Sequence, residues 1–432
     1  MGLLAGLRRG SFGLGLALVP LTVACNLIVG VHDVKLRKEG GATGSDDGGF
    51  PPPPPPSDDS GPEPSRYTEL ALGLRHSCAK RRTGLVKCWG DDSDKQTGTG
   101  GAATSDGGTS VVPTPQVVNG IDAFSIGSGA KHGCAALQGG TVSCWGANAS
   151  GQLGNGLKGT AVPSPNPVRS IADAFRVAGG STHTCALRIG GNVACWGNNL
   201  SGQLGNNTRN EALEPRDVVD FNNAIQVTAG VSHTCALRRT GEVACWGENF
   251  NGQLGVPIVN PKQELTPKIV DGIEGAVAIA AMADSTCAVL RTGTVYCWGK
   301  DTLSQLGRGA SGGASNPSPQ PVRGVSNATR IAAGAEHACA LTDAGTVLCW
   351  GASGSGQIGN GISPDGGAAA SVPLPVLVTS LSGAVAIGAG GDHSCAVSAD
   401  DKISCWGSNG AGELGNESRA PSSVPVTVKG FP

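Results

Sequence analysis

Strong charge, aromatic side chains and helical periodicity are all scarce in this sequence. Its 432 residues include 31 Lys or Arg and 33 Asp or Glu. That balance excludes the one-signed field that draws proteins to nucleic acid or to an acidic membrane surface. Aromatics make up 4%, and no segment repeats its apolar residues at helical spacing, which leaves strands and turns. No two cysteines stand two to four residues apart, the spacing that zinc sites use. Glycine-rich stretches such as GQLGNG lack the Gly-Lys-Ser/Thr of a phosphate loop. What is abundant is glycine, 70 residues, about twice the usual share. Without a Gly-x-y period, that means either disorder or a fold made of many turns. The length allows one large domain or two to three ordinary ones.

The cysteines decide between these. Each of the seven tryptophans directly follows a cysteine, and each of those cysteines has a partner ten residues upstream. The pairs are Cys78–Cys88, Cys134–Cys144, Cys185–Cys195, Cys235–Cys245, Cys287–Cys297, Cys339–Cys349 and Cys395–Cys405, fourteen of the fifteen cysteines. Successive tryptophans from Trp89 to Trp406 lie 56, 51, 50, 52, 52 and 56 residues apart. The chain is therefore a sevenfold repeat of about 50 residues, and such regularity excludes disorder.

One unit, SHTCALRRTGEVACWGENFNGQLG from Ser232 to Gly255, shows how a repeat is built. Cys235 and Leu237, then Val243 and Cys245, alternate as two strands around Arg239-Thr240-Gly241. A three-residue hairpin loop ends in a left-handed residue, which glycine supplies without steric penalty. Gly84, Gly140, Gly191, Gly241, Gly293 and Gly345 hold that position, and Asp401 holds it in the seventh repeat. Counting outward from the loop places Cys235 opposite Cys245 in a non-hydrogen-bonded pair, with Cα atoms roughly 4.5 Å apart. A disulfide accepts that distance. Reduced thiols and a metal site are the rival readings. Seven hairpin disulfides place the protein outside a reducing cytosol.

Upstream of each hairpin runs another strand, such as IQVTAG before Cys235. Earlier still comes a proline followed by valine, as in SPNPVR, LTPKIV and SPQPVR, which marks a strand edge. Four strands per unit and seven units predict an all-β propeller of seven four-stranded antiparallel blades, with tryptophan as the filler between blades. The last segment, SVPVTVKGFP, has the Pro-Val strand without a hairpin after it, and Tyr67 begins a unit without such a strand. The C-terminal strand Val424–Val428 is therefore expected to pair into the blade of Cys78 and Trp89 and close the ring.

The line His-[Ser/Thr]-Cys-Ala-Leu, then Gly-x-Val-x-Cys-Trp-Gly-x-Asn-x-x-Gly-Gln-Leu-Gly, resembles the repeat of the regulator-of-chromosome-condensation (RCC1-like) family. The resemblance spans roughly residues 67–432. It implies a seven-bladed propeller that works as a protein-binding platform. Its best-known member is a guanine-nucleotide exchange factor on chromatin, and a bacterial relative inhibits β-lactamases by protein contact. The cysteine pairs depart from the family pattern in a way that fits an exported variant.

Residues 1–25 look like an export signal. Arg8-Arg9 precede an apolar run, and Leu21-Thr22-Val23-Ala24-Cys25 resembles a bacterial lipobox that would lipidate the unpaired Cys25. Plain secretion and a retained membrane anchor are the alternatives. Residues 26–66, with Pro51–Pro56 and acidic coil, read as a stalk ahead of the propeller at 67–432. This predicts a monomer at the cell envelope, outside the cytoplasm.

No repeat supplies an asymmetric catalytic group. Six histidines, His76, His132, His183, His233, His337 and His393, each precede a first cysteine by two, and their repetition argues for structural hydrogen bonds. The fifth repeat reads AAMADSTC where others read like AGGSTHTC, placing Met282, Asp284 and Ser285 in the Gly and His positions, and the first has KQTG for GQLG. The leading expectation is a non-enzymatic, surface-tethered binding propeller without cofactor, metal or nucleic acid. Its partner is an unknown protein or an anionic envelope component. An exported propeller enzyme such as a lyase or glycosidase would need a carboxylate or His/Tyr cluster in the central channel. An exchange factor by analogy is disfavoured by the export signal. Loops after each GQLG line one rim, and the hairpin tips form a second ring. Arg81, Arg82, Arg188, Arg238, Arg239 and Arg291 make tips in blades one, three, four and five basic, while Asp343, Asp400 and Asp401 make those of six and seven acidic. Paired guanidinium donors suit carboxylate or phosphate.

Overall fold

The computed structural model describes residues 67–101, 104–106, 109–309, 313–362 and 371–431. The expectations for residues 1–66, lipidation of Cys25 included, lie outside the described residues. Seven antiparallel sheets follow one another along the chain, each built from consecutive strands. Blade four is typical: Ala224–Ala229 is innermost, then His233–Arg238 and Val243–Glu248, with Gln263–Ile269 outermost. Blade one gains a short fifth strand, Thr104–Asp106, on its outer edge.

The hairpin is as the sequence predicts. Arg238 N donates to the Glu242 carbonyl at 2.8 Å and Gly241 N to the Arg238 carbonyl at 2.9 Å. Cys235 then faces Cys245. All seven pairs lie at disulfide distance, with Cα atoms 4.0–4.1 Å apart. The six tip glycines and Asp401 all have positive φ, from 67° to 90°.

Ring closure differs from the expectation. The Pro-Val strand ends a blade instead of beginning one. Ser422–Thr427 pairs with Ile403–Gly407 in blade seven, so Val424–Val428 does not enter the blade of Cys78 and Trp89. Proline is at home there because one side of an outermost strand has no ladder partner. A tandem repeat also carries no mark of where its unit starts. Blades seven and one meet through one backbone bond between turns, Gly391 N to the Gly73 carbonyl at 3.1 Å, and through side chains: Phe431 packs edge-on against Tyr67 at 4.6 Å and Trp89 at 5.7 Å. Tyr67 N donates to Asp401 Oδ1 at 3.1 Å.

Each antiparallel strand reverses direction, so the connections fall on two faces. The hairpin tips and the links between blades share one, the tip face. The turn between the first two strands and the long loop before the outermost strand share the other, the rim face.

Candidate functional site

The histidines build the seams between blades. His233 Nε2 lies 3.0 Å from Thr286 Oγ1 of the next blade, and that hydroxyl donates to the Gln253 carbonyl at 2.9 Å. Because the hydroxyl proton goes to the carbonyl, the imidazole carries its own proton on Nε2. Trp298 Nε1 donates to the same carbonyl at 3.0 Å. The tryptophan bond to the previous blade recurs at every seam, including Trp89 to Glu413 at the closure. Burial pushes the imidazoles down to about 3 at His132, His183 and His393 and about 4 at His76, His233 and His337. They are neutral, enclosed and structural, as their repetition implies. His76 alone among them has neither nitrogen bonded, because the facing residue of blade two is Gly133, where the blades that face the other five histidines carry Ser or Thr.

The central channel holds a cavity of about 230 Å³ lined by residues such as Leu70, Ile126, Ser128, Val177, Thr228 and Ala333, none of them ionisable. Glu69, near it on the innermost strand of blade one, is committed to the next blade. Its carboxylate accepts from Ser125 Oγ at 2.8 Å and Ile126 N at 3.2 Å, and burial raises its pKa. Among the described residues, no group of three or more His, Cys, Asp or Glu could hold a metal ion.

The basic tips do not form a free ring. Arg188 is paired with Asp173 at 2.8 Å and Asp217 at 2.9 Å. Arg238 stacks 4.7 Å over Phe221 and reaches Glu242 at 3.6 Å. Arg81 stacks 4.9 Å over Tyr67. These three serve their own blades and seams. Arg82, Arg239 and Arg291 are exposed at their tips.

The rim face has a character the sequence reading missed. Among the described residues, Leu157, Leu200, Phe250, Val259 and Ile362 are each more than half exposed and belong to its loops, whereas towards the tip face only Ile189 and Leu377, the last residue of an outermost strand, are. Leu200 and Phe250 stand where other repeats have Ser93, Ala149, Thr302, Gly354 and Gly410. A large apolar residue at a position otherwise small was the legible signal. The turns beside the channel mouth are also polarised: Arg75 and Lys131 in blades one and two, Asp284, Glu336 and Asp392 in blades five to seven.

Known proteins of the same build exist. A family profile described as the RCC1-like domain matches residues 37–328, and profiles of the RCC1 repeat match 328–357, 384–413 and 344–397. The chain is 28% identical over 385 residues to the human E3 ubiquitin-protein ligase HERC2, covering 86% of this chain but only 8% of that protein. It is 28% identical over 375 residues to the ultraviolet-B receptor UVR8 of Arabidopsis thaliana, covering 85% of this chain and 71% of UVR8. In three dimensions it resembles human WBSCR16, with a TM-score of 0.71 at 22% identity, covering 81% of this chain and 94% of the other. It also resembles yeast RCC1 (Prp20) in complex with Kap60, with a TM-score of 0.68 at 21% identity and coverage of 93% and 90%. At such identities the two structures bear on the fold alone.

Proposed function

The chain belongs to the RCC1-like family, and from that premise we propose a non-enzymatic recognition platform that binds a protein partner through its rim face. We also propose that Cys25 carries a lipid that tethers the platform at the cell envelope, outside the cytoplasm. The cysteine pairs favour an oxidising compartment. That yeast RCC1 is seen bound to Kap60 is in keeping with a protein partner.

The observation that carries the choice of face is the asymmetry of exposed apolar side chains. Large exposed apolar groups cluster where a partner covers them, and here they cluster in the rim loops. Those loops differ in length and sequence between blades, as partner-reading loops do. The second reading, an anionic envelope component held by the tips, retains Arg82 and Arg239.

Both are tested by cross-linking the full chain in its own envelope and identifying the adducts, with variants on each face. Leu200→Asp with Phe250→Asp should abolish the main adduct, and Arg82→Glu with Arg239→Glu should leave it intact. The reverse result transfers the site to the tips.

A further inference from the structure

The rim face carries an apolar patch with a mainly acidic border. Leu200 is 74% exposed, Phe250 56% and Val231 43%. Glu248 joins them: its carboxylate lies against the Ser201 and Ser232 side chains, the neighbours of Leu200 and Val231, and it precedes Phe250 by two residues. From Glu248 the border runs through Asp284, Glu336 and Asp392, the turn residues of blades five, six and seven. Lys300 is the cation set among them, 2.6 Å from Glu336 and 3.9 Å from Asp284. Glu248 and Asp392 make no ion pair among the described residues.

The crowding of like charge registers on these groups. Burial, then the Asp284 charge, raises Glu248; burial, then Glu336, raises Asp392; and Asp284 is raised by burial and Glu336 against the pull of Lys300. Across the mouth, Arg75 and Lys131 are already taken up, by Glu413 at 3.5 Å and Asp94 at 2.9 Å. Lys262, 5.5 Å over the Phe250 ring, is the cation at the patch itself and occupies the kind of stacked position a partner's cation can also use.

The geometry points to a cationic peptide segment with an apolar anchor as the partner of this surface. Its apolar side chain seats on Leu200, Val231 and Phe250, and its Lys or Arg side chains lie over Glu248, Asp284 and Asp392. This rests on the rim face being the docking face and adds the partner's chemistry. Complementary charge around an apolar centre gives such an interface its selectivity and its salt dependence.

The test uses the full chain and three labelled heptapeptides followed by fluorescence anisotropy at low and high salt. One alternates Lys with Leu and Phe, one replaces its Lys by Glu, and one replaces its apolar residues by Ser. The first should bind about tenfold tighter than either of the others and weaken with salt. Glu248→Gln with Asp392→Asn should cost about tenfold and flatten the salt dependence. Leu200→Ser with Phe250→Ser should cost as much without changing the salt slope. Asp271→Asn with Glu274→Gln, exposed acidic residues on the tip face, should change nothing. If the apolar pair matters while the Glu peptide binds equally well and Glu248→Gln with Asp392→Asn is silent, the cationic partner is wrong and the docking face stands. If neither rim pair matters, or the tip-face pair matters as much, the docking face falls too.

Discussion

In blade five a methionine stands where the other blades keep a glycine, and a serine where they keep a histidine. The two changes are one exchange of volume. In blade four a Cβ on Gly230 would lie 2.3 Å from His233 Cε1, so the imidazole needs the glycine beneath it. With Ser285 in place of the ring, Met282 fills the space and is 1% exposed. Other departures are matched in the same way. Asp92 and Asp301, which stand where four other blades have Asn, gain Lys95 at 3.8 Å and Arg308 at 2.6 Å. Thr97 of KQTG donates its hydroxyl to Asp92 Oδ1 at 2.6 Å. The six buried histidines also set an acid limit. Their folded pKa values lie at about 3 to 4, below the ordinary 6.5, so the unfolded chain binds more protons between those limits. Stability is full above about pH 6.5 and falls as pH drops toward the folded values, with roughly five to six protons taken up on unfolding near pH 5. The raised carboxylates Glu69, Glu248, Asp284 and Asp392 act in the opposite sense, at the acid end of the range. Thermal unfolding followed from pH 7 to 5 should show a steep decline. A flat profile would mean the imidazoles do not stay neutral in the fold.

At the scale of the element, the hairpin was fully legible because everything that determines it is local. Loop length, a left-handed fourth corner and the period of two together fix which residues face each other, and the Cys-x9-Cys spacing falls on a facing pair. Asp401 was read as a tolerated stand-in for glycine, and its φ of 67° agrees. Its carboxylate bond to Tyr67 N was not legible, since that partner is 334 residues away. The phase of the blade was misread for the same kind of reason: hydrogen bonding, not sequence order, assigns the Pro-Val strand to the hairpin before it or after it. The rim-face patch was hidden as well, because exposure of Leu200 and Phe250 depends on how two loops fold. For the hairpin itself the expected outcome is sharp. Protein from an oxidising compartment should show no free thiol among the fourteen paired cysteines in a mass-spectrometric alkylation assay. Cys235→Ala with Cys245→Ala should lower the unfolding free energy in urea by somewhat under ~3 kcal/mol, the chain-entropy value for a loop this short. Cross-repeat pairs or bound zinc would remove the argument.

At the scale of the whole molecule, each blade is a continuous stretch of chain, so the ring has no strand shared between its ends and must be held shut by packing. Glu413 is the hub of that closure. Its carbonyl accepts from Trp89 Nε1 at 2.8 Å and Ser77 Oγ at 3.0 Å, and its carboxylate faces Arg75 at 3.5 Å. His393 Nε2 meets Ser77 Oγ at 2.8 Å, so the relay that joins blades elsewhere also joins the last to the first. The tail adds a lock of its own: Phe431 wedges against Tyr67 and Trp89, and Lys87 Nζ donates to the Gly430 carbonyl at 2.9 Å. Strand exchange and side-chain closure make different demands on this tail. If Val424–Val428 were hydrogen-bonded into blade one, the last three residues would be an appendage, and removing them would cost almost nothing. With closure by packing, deleting Gly430–Pro432 or changing Phe431→Ala should cost about 2–3 kcal/mol, somewhat below the usual range for a fully buried phenylalanine because the ring is partly exposed. The loss should show as a melting temperature lower by several degrees. Leu377→Ala, an apolar side chain 53% exposed on an outermost strand, should leave the melting temperature within a degree or so, because surface substitutions shift stability by only about ±0.5 kcal/mol. A tail deletion as silent as that control would show that the seam between Trp89 and Glu413 closes the ring unaided.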